Sequence, residues 1–526
     1  MTTSTEIFMA DDDHPREECG VAAVYSLKRG LPDNSRDVSH LLPLMLQDMQ
    51  NRGELSAGIT TYDRSRNQLL RTYKALGTVN KAFTPEYHNS HDIAAALRGS
   101  AGIGHVRYAT CGKDDVNYAQ PFERIHGRIS KWFSFCFNGN IANQAELRRV
   151  LTEEKGYHLN LESDTEVFMH FLAGEIAESE PDAPNYRQIF ANLSKILDGA
   201  WCLALIDACG NLVIARDPQG FKPMAYAIAD DLLYVASESV AIWNRGVSNI
   251  KTLDPGHILV CGDKGIKIER FAESPVISHC FFEWIYFSNV ASEIDNRNVY
   301  EARVRAGQLL AKHEDLVIDE DTIVVSVPDT AKACGDAMGF ALKAPVVEGL
   351  FRNRYVGRSF IKSGDSRGKI VQQKFTPLPA VLKGKKVLLV EDSIVRGTTL
   401  KHIIRDIRQR GEAKEIHLRI ACPPILSPCF YGIDMSTLGE LFARHYIEVD
   451  RLEPDLPEEV LQRMAHSLGA DSLRYLPARD LPEVIGLPAK DLCMACVDSK
   501  YPTEHGRKLI ETARAMAKDG KSGRTY

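Results

Sequence analysis

The segment at 385–411 constrains the fold of this chain more than any other. It reads KKVLLVEDSIVRGTTLKHIIRDIRQRG: an apolar strand, an acidic pair, a turn of small residues and then a helix. Leu400, Ile403 and Ile407 are spaced i, i+3 and i+7, which is one face of an amphipathic helix. Gly411 stands where a left-handed C-cap is expected to end that helix. The segment therefore predicts a strand–turn–helix unit of an α/β domain.

The turn in this segment carries the residue types of a ligand site. Thr398 and Thr399 begin the helix, where hydroxyls and unpaired backbone N–H groups together attract an anion. Glu391 and Asp392 end the strand, at the sheet edge where α/β proteins bind ligands, and carboxylates there can grip a sugar diol or a hard cation. An ordinary strand–turn–helix would show the same helix pattern, but it does not explain the two carboxylates. The pattern favours a transferase that acts on a phosphorylated sugar.

Length and charge exclude several classes of protein. The chain has 526 residues, enough for two or more domains with full cores. A net charge of −6 and the lack of a basic run argue against a nucleic-acid partner. No apolar run approaches the roughly 18 residues that span a bilayer, and the acidic N-terminus is unlike a signal peptide. We therefore expect a cytoplasmic protein whose 12 cysteines are thiols, ligands or a nucleophile rather than disulfides.

The hydrophobic pattern changes near residues 270–280, where we place a domain boundary. Before it, strand-like runs are separated by short polar turns at 208–211, 230–231 and 262–265, which predicts antiparallel hairpins. Helical patterns lie between the strands, for example at 42–51, so this half is expected to be α+β. A second such helix is predicted at 165–176.

After that boundary, strands and helices alternate. Strands are predicted at 322–327 and 415–421 in addition to the one at 385–390, and helices at 299–313 and 331–342. Alternation of this kind indicates βαβ units and a mainly parallel sheet. The second half is therefore expected to be an α/β domain.

Cys19 begins the strand-like run CGVAAVYSL after eighteen residues of low apolar content. A free cysteine in a strand is commonly a small buried hydrophobe. A nucleophile would instead need an anchor for a substrate carboxylate, a carboxylate for its amine and donors for an oxyanion. HVRYAT supplies Arg107, CFNGN supplies Asn138 and Gly139, and ESDTEV supplies Asp164.

The ordered set CGV, RGELSAGI, HVRYAT, FNGN, SDTEV and ARDPQG resembles the class II glutamine amidotransferases. These are N-terminal-nucleophile hydrolases, α+β domains with antiparallel sheets sandwiched by helices. The resemblance implies that residues 1–18 are a propeptide whose removal gives Cys19 a free α-amine, the general base for its own thiol near neutral pH. Asn138 and Gly139 would form the oxyanion hole, and Arg107 and Asp164 would bind the α-carboxylate and α-ammonium of glutamine.

EDSIVRGTT resembles the phosphoribosyl pyrophosphate motif of the type I phosphoribosyltransferases, which are α/β domains with a mainly parallel sheet. RNRYVGRSF at 352–360 resembles the flexible loop that closes over that substrate in the amidophosphoribosyltransferases. The resemblance implies a Mg²⁺ site with Thr330, Glu391 and Asp392. It implies phosphoribosyl pyrophosphate contacts from Asp392, Ser393, Arg396, Gly397, Thr398, Thr399, Arg352 and Arg358.

The chain departs from these family patterns at three positions. The segment Arg52-Gly53-Glu54 stands where Arg-Gly-Gln is usual, so that Glu54 replaces the glutamine. Phe137 precedes Asn-Gly-Asn at the position where His is usual. Neither is assigned a catalytic role. Glu391 takes the place of the usual first Asp of the acidic pair, and its extra methylene keeps the charge while changing its reach.

With both halves matched in order, roughly residues 19–503 resemble the amidophosphoribosyltransferase family. The expected division is 1–18 propeptide, 19–275 amidotransferase domain, 276–480 phosphoribosyltransferase domain and 481–526 C-terminal arm. The implied reaction hydrolyses glutamine in the first domain and passes ammonia to ribose C1 in the second. It displaces pyrophosphate and gives 5-phosphoribosylamine, the first step of de novo purine synthesis. A homotetramer inhibited by purine nucleotides is also implied.

The arm contains Cys493-Met-Ala-Cys496, and a lone C-x-x-C leaves zinc, redox chemistry or no role open. Cys280 and Cys429 resemble the positions that complete a [4Fe–4S] site in the branch of the family that carries a propeptide. Structural zinc is the main alternative, because four cysteines suit both metals. Cys422 is disfavoured as a ligand. The other thiols, at 111, 136, 202, 209, 261 and 334, are read as ordinary core or surface positions.

Two other functions are alternatives to the coupled amidotransferase that the resemblance implies. A different class II amidotransferase, such as a glucosamine-phosphate or asparagine synthase, would lack EDSIVRGTT, because those enzymes use sugar-isomerase or ATP-pyrophosphatase sites. A regulatory protein that only senses phosphoribosyl pyrophosphate would have no need of Cys19, Arg107 or Asn138. The residues therefore favour the coupled enzyme.

Overall fold

The computed structural model of the protein describes residues 19–28, 36–83, 96–108, 115–179, 184–274, 276–353, 375–435, 437–451 and 453–519. Its N-terminal half contains two antiparallel sheets, as the short polar turns predict. Their strands are β1 (Gly20–Ser26), β2 (Ser56–Tyr62), β3 (Leu70–Leu76), β4 (Ala101–Arg107), β5 (Phe122–Arg124), β6 (Phe133–Ile141), β7 (Gly199–Asp207), β8 (Leu212–Arg216), β9 (Ala225–Ala229), β10 (Leu232–Ala236), β11 (Lys251–Thr252), β12 (His257–Gly262) and β13 (Gly265–Arg270).

The two sheets face each other across one core. The first has the order β11-β9-β10-β1-β4-β2-β3 and the second β13-β12-β8-β7-β6-β5. Val21 and Ala23 of β1 are buried in the same cluster as Cys202 and Ala204 of β7, because alternate residues of each strand point to the shared face. Helices cover the two outer faces. The helices of this half are α1 (Leu41–Asp48), α2 (Val79–Phe83), α3 (Gln144–Arg149), α4 (Asp164–Glu178), α5 (Tyr186–Leu193) and α6 (Val240–Trp243).

The C-terminal half contains a parallel sheet, as the alternation of strands and helices predicts. Its spatial order is β17-β20-β21-β22, and every neighbouring pair is parallel. The strands of this half are β14 (His279–Cys280), β15 (Glu293–Ile294), β16 (Arg297–Asn298), β17 (Thr322–Ser326), β18 (Leu350–Arg352), β19 (Phe375–Pro377), β20 (Lys386–Glu391), β21 (Glu415–Ile420), β22 (Ser472–Tyr475) and β23 (Leu492–Cys493). The helices are α7 (Val299–Lys312), α8 (Lys332–Leu342), α9 (Pro379–Leu382), α10 (Thr398–Gln409), α11 (Glu458–Leu468), α12 (Leu481–Ile485), α13 (Ala495–Asp498) and α14 (Glu504–Lys518).

Two local predictions need correction. The helix expected at 42–51 ends at Asp48 and is followed by a 3₁₀ turn, Gln50–Arg52. Gly411 does not form a left-handed cap after α10; the positive φ, 56°, belongs to Glu412. Glycine is needed at 411 for a different reason, because a Cβ there would lie 2.5 Å from the Ile407 carbonyl oxygen.

Strand β13 ends at Arg270, and the next strand, β14, pairs in parallel with β23 of the C-terminal arm. The junction of the two halves is thus also the place where the arm returns to the body of the protein. Across the described residues, none of the helices combines the length and hydrophobicity that crossing a bilayer requires.

Candidate functional site

Cys19 and Arg107 lie at the ends of adjacent strands. Strands β1 and β4 are antiparallel with Gly20 opposite Val106, so the residues just beyond this pair, Cys19 and Arg107, are neighbours. The Cys19 thiol is half-buried, with Sγ 4.0 Å from the Tyr108 carbonyl oxygen. The Arg107 guanidinium lies over the ring of Tyr118, 5.5 Å from its centroid, and Arg107 is 6% exposed. The strand register therefore places the candidate nucleophile and the candidate carboxylate-binding arginine side by side.

Asn138 and Gly139 lie on β6, on the sheet that faces β1. Asn138 is 1% exposed, and its Nδ2 group has no hydrogen-bond partner within the described structure. A buried amide donor without an acceptor is costly, and such a group is expected where an oxyanion must be received. Gly139 has φ 157°, and a Cβ there would lie 1.9 Å from the Ala200 carbonyl oxygen, so that only glycine fits.

Gln120 and His105 hold the backbone just before Asn138. The Phe137 N–H donates to Gln120 Oε1 at 2.6 Å, and Gln120 Nε2 donates to the Phe137 carbonyl at 3.1 Å. His105 Nε2 lies 3.2 Å from the same carbonyl. Burial lowers the pKa of His105 to about 3, so its ring is neutral and can donate there. Gln120 is not among the predicted site residues, and nothing in the sequence around it signals a role.

Asp164 is the first residue of α4 and is tied to the same strand. Its Oδ2 accepts from the Ile141 N–H at 3.1 Å, and Oδ1 accepts from the Thr165 hydroxyl at 3.2 Å. The helix is capped by Ser163, whose Oγ accepts from the Glu166 N–H. Burial raises the pKa of Asp164 to about 6, opposed by these hydrogen bonds. The carboxyl is thus mostly ionised at neutral pH and titrates just below it.

In the C-terminal half, the acidic pair and the turn after it are buried at the end of β20. Glu391 is 2% and Asp392 1% exposed. The Asp392 N–H donates to Glu391 Oε1 at 2.9 Å, and the Ser393 hydroxyl donates to Asp392 Oδ1 at 2.6 Å. Gly397 has φ 79° and is the N-cap of α10, which begins at Thr398 as predicted. The turn therefore aims the helix N-terminus at the sheet edge where the carboxylates lie.

The structure brings part of the predicted phosphate-binding set to this edge. β17 is the parallel neighbour of β20, and so Asp329 and Thr330, which follow it, lie at the same edge. Arg352 Nη1 donates to Asp329 Oδ2 at 2.6 Å. Arg396 Nη2 lies 3.3 Å from Glu440 Oε2. Arg358 lies outside the described residues.

A buried ion network that the sequence patterns do not predict joins the two halves. Arg52 Nε donates to Glu238 Oε1 at 2.7 Å, and its Nη2 donates to Glu283 Oε2 at 2.6 Å. Arg303, on α7 of the second half, donates to the backbone carbonyls of Trp284, Tyr286 and Ser288 at 2.8–3.0 Å. The segment Glu283–Phe287 is therefore held from both domains by arginines.

Four thiols line one buried cavity at the domain junction. They are those of Cys280, Cys429, Cys493 and Cys496, with Phe221, Tyr431, Ile433 and Ala495 as the other walls. Cys280 and Cys493 are direct partners in the β14–β23 pair, and the Cys496 carbonyl accepts from the Leu426 N–H at 2.8 Å. Burial, together with the neighbouring thiols, raises the pKa of Cys496 well above its usual value. Among the described residues no three Cys, His, Asp or Glu side chains are arranged to hold a single metal ion.

The segment that carries Cys429 also contacts the strand that carries Asn138 and Gly139. Asn140 Nδ2 donates to the Phe430 carbonyl at 2.9 Å. The rings of Phe221 and Tyr431 stack with centroids 4.3 Å apart. The thiol site and the candidate oxyanion hole are thus parts of one packed region.

Comparison with known proteins gives the family. A model of the glutamine amidotransferase domain matches residues 105–244. The amidophosphoribosyltransferase of Methanothermobacter thermautotrophicus is 37% identical over 500 residues, which cover 94% of this chain and 96% of the relative. That of Mycobacterium tuberculosis is 33% identical over 519 residues, covering 97% and 92%. The chain belongs to the amidophosphoribosyltransferase family.

Solved structures agree with this assignment. The B. subtilis glutamine phosphoribosylpyrophosphate amidotransferase, complexed with ADP and GMP, has a TM-score of 0.78 and 32% identity, covering 93% of this chain and 98% of that one. A structure of the allosteric regulatory enzyme of purine biosynthesis has a TM-score of 0.79, also at 32% identity, covering 92% and 96%. The expectation of a hydrolase domain followed by a phosphoribosyltransferase domain is confirmed. The protein is an enzyme that makes 5-phosphoribosylamine, glutamate and pyrophosphate from phosphoribosyl pyrophosphate, glutamine and water, the first step of de novo purine synthesis.

Proposed function

We propose that Cys19 is the nucleophile of the glutamine half-reaction and that residues 1–18 are removed to expose its α-amine. The amine, with a reference pKa of about 7.7–8.0, accepts the thiol proton. The thiolate attacks the side-chain carbonyl of glutamine, and the tetrahedral oxyanion expels ammonia to leave a thioester. Water then hydrolyses the thioester to glutamate. Active enzyme whose intact mass still includes residues 1–18 would contradict this proposal.

The observation that carries the proposal is the unpartnered, buried Nδ2 donor of Asn138. It lies beside Gly139 on β6, and β1, which begins just after Cys19, packs on that strand. In this proposal the Asn138 amide and the Gly139 N–H receive the oxyanion. Arg107 binds the α-carboxylate of glutamine, and Asp164 binds its α-ammonium.

In the second half we assign phosphoribosyl pyrophosphate to the edge of the parallel sheet between β17 and β20. Thr398, Thr399 and the N–H groups that begin α10 would bind the 5-phosphate, as helix N-termini commonly do. Asp392 and Glu391 face the ribose diol and, with Thr330, would hold Mg²⁺ through oxygen ligands. The other proposed contacts come from Ser393, Arg396, Gly397, Arg352 and Arg358.

The chemistry of this site follows from charge. When bound, Mg²⁺ would supply positive charge that offsets the charge of the departing pyrophosphate. Arg352 and Arg396 would add to that charge while ammonia from the first site attacks C1 of the ribose. Arg352 and Arg396 are already paired with Asp329 and Glu440, so these two carboxylates would hold the arginines in place until substrate binds. Loss of ammonia-dependent synthesis in an Arg396→Ala variant, with glutaminase activity kept, would support the assignment. Unchanged synthesis would contradict it.

We further propose that the four-cysteine cavity holds a [4Fe–4S] cluster rather than zinc. Four thiols from the arm and the domain junction line a common buried cavity, and four thiolates are the ligand set that such a cluster needs. The preference over zinc rests on the resemblance of these four positions to the cluster ligands of the family branch that carries a propeptide. The role of the cluster would be structural, because it would cross-link the C-terminal arm to the domain junction. Anaerobically purified protein with about four irons and four sulfides per chain would support the cluster, and stoichiometric zinc in a colourless protein would contradict it.

Regulation and assembly complete the proposal. The B. subtilis relative is seen with ADP and GMP, and we propose that purine nucleotides inhibit this enzyme as well. We also propose that it works in the cytoplasm as a homotetramer. Inhibition of the full reaction by GMP with ADP tests the proposed regulation. Light scattering of the native protein tests the proposed homotetramer.

A further inference from the structure

Gln120 lies beyond the end of β5, at the edge of the sheet that carries the candidate oxyanion donors. Strand β5 pairs with β6 in antiparallel register, with Phe122 opposite Phe135. Continued by two residues, this register places Gln120 opposite Phe137. Pro121 separates Gln120 from the strand, and proline, which lacks a backbone N–H, interrupts the regular pairing of an edge. In the part of the chain that the structure describes, no further strand covers this side of β6.

The side-chain amide of Gln120 takes the place of the missing strand. It accepts from the Phe137 N–H at 2.6 Å and donates to the Phe137 carbonyl at 3.1 Å. These are the same two bonds that an opposite residue exchanges in a hydrogen-bonded pair of antiparallel strands. One side chain therefore fixes the peptide groups on both sides of Phe137.

This arrangement decides which backbone groups face the edge of the sheet. Along a strand, successive residues direct their N–H and C=O groups to opposite edges. Phe137 directs its groups toward Gln120, so Asn138, which lies opposite Cys202, directs its backbone toward β7. By the same alternation the Gly139 N–H is directed back to the edge on which Gln120 lies. It is thus placed to receive an oxyanion from that side.

Gln120 itself is held by the other sheet. Its carbonyl oxygen packs so closely on β2 that a Cβ at Gly58 would lie 2.3 Å away. Lys74, on β3, donates from Nζ to the carbonyl of Ala119 at 2.7 Å. Gln120 is 5% exposed. A buried side chain whose backbone is fixed on one sheet can hold a strand of the facing sheet in a set position.

We propose that Gln120 is a positioning residue of the oxyanion hole. By holding both backbone groups of Phe137, it sets the direction of the two donors that follow, the Asn138 amide and the Gly139 N–H. The inference rests on the proposal that these donors receive the oxyanion of the glutamine half-reaction. Such donors are most effective when they are fixed before the charge forms. Gln120 acts through Phe137 and touches no reacting atom.

The test compares Gln120→Met and Gln120→Glu with wild type in glutamine hydrolysis. Gln120→Met keeps the length of the side chain and removes both hydrogen bonds. In Gln120→Glu, a neutral carboxyl group can accept from the Phe137 N–H and donate to the Phe137 carbonyl, but the ionised group can only accept. Gln120→Glu is therefore expected to be rescued at low pH. Gln188→Met, at an exposed position on α5, is the matched control.

We expect Gln120→Met to lower kcat by about 10–100-fold, the scale of a small misplacement of catalytic groups, with little change in the KM for glutamine. At each pH, the ratio of variant to wild-type kcat cancels the titrations that both proteins share. For Gln120→Glu this ratio should be close to one at low pH and should fall toward that of Gln120→Met as the carboxyl group loses its proton. Gln188→Met should match wild type, and ammonia-dependent synthesis should be kept in every variant.

Asn138→Ala, measured beside these variants, separates this inference from the proposed function. If Asn138→Ala loses activity while Gln120→Met keeps wild-type kcat, or while Gln120→Glu shows an equal loss at every pH, the inference is overturned and the proposed function stands. Wild-type kcat in Asn138→Ala would refute the oxyanion hole itself, and this inference with it. If Gln120→Met does not fold, as loss of ammonia-dependent synthesis would show, the pH dependence of Gln120→Glu decides.

Discussion

Arg52 and Glu283 form an ion pair across the domain junction, with 2.6 Å between Arg52 Nη2 and Glu283 Oε2, and both side chains are buried. Arg52 also binds Glu238, from the same domain, and the Ser288 hydroxyl at 3.1 Å. Next to it, Gly53 is so close to Arg107 that a Cβ would lie 2.4 Å from the Arg107 carbonyl carbon. The pair therefore ties the second domain to the backbone that positions the proposed glutamine-binding arginine.

Glu283→Ala should lower the free energy of unfolding by about 1–3 kcal/mol, because Arg52 keeps its pair with Glu238 while one of its buried donors loses its acceptor. Chemical denaturation of the full chain measures the effect. Lys383→Ala is a suitable control, since Lys383 and Glu412 form an exposed pair on the surface. A loss no larger than that of the control would mean that the Arg52–Glu283 pair does not stabilise the junction.

Asp164 should make glutamine binding sensitive to pH. Its pKa of about 6 lies above the usual value, so its carboxylate is neutralised as pH falls through 6, and its attraction for the glutamine α-ammonium is then lost. Calorimetry on a Cys19→Ala variant, which binds without turnover, should show a weakening of glutamine affinity between pH 7.5 and 5. Asp164→Asn should bind weakly at every pH. A flat wild-type profile would contradict this role.

The same shift gives a prediction for stability in the absence of glutamine. The folded protein holds the Asp164 proton more tightly than the unfolded chain does, so this group's contribution to stability decreases as pH rises from about 4 through 6. Asp164→Asn removes that dependence. Unfolding curves of the two proteins at pH 5 and pH 7.5 should therefore differ most at the higher pH, with the variant gaining there.

Asn138→Ala should lower kcat for glutamine hydrolysis by about 10²–10³-fold, the usual effect of removing one oxyanion donor. The KM for glutamine should change little, because the amide acts mainly on the tetrahedral intermediate. Synthesis from added ammonia is the internal control and should be kept, since it bypasses the thiol. A variant with wild-type kcat would remove Asn138 from the mechanism.

Asp392→Asn should raise the KM for phosphoribosyl pyrophosphate in ammonia-dependent synthesis by roughly tenfold or more. A lost hydrogen bond to a charged group is worth about 1.5–3 kcal/mol. Asp336→Asn, on the exposed side of α8, is the control. Pyrophosphate release at varied substrate concentration measures both. An unchanged KM would mean that Asp392 does not bind the ribose of the substrate.

Local sequence patterns predicted those helices, strands and turns whose formation depends on residues close together in the chain. The strand at Lys386–Glu391 and the helix from Thr398 follow from apolar periodicity and the helix-start residues. The hairpins of the first half follow from their short turns, and the strand register then places Cys19 beside Arg107. Gly411 shows the limit of this reasoning, because the close approach of the Ile407 carbonyl, which no sequence pattern reports, is what requires glycine there.

Long-range contacts between buried polar groups were not predictable in this way. Arg52 and Glu283 are 231 residues apart, and either alone reads as an ordinary surface charge. Gln120 is recognised only once the strand carrying Phe137 is beside it. The roles of such residues depend on how the two domains pack. Hydrophobic periodicity and turn residues do not predict that packing.

The most direct test of the account follows glutamate and pyrophosphate together, with anaerobically purified protein, Mg²⁺, glutamine and phosphoribosyl pyrophosphate. The two products should appear in equal amounts, and omission of either substrate should suppress both, because ammonia from the first site is consumed in the second. Glutamate released without pyrophosphate, or neither product from protein with an exposed N-terminal Cys19, would contradict the account.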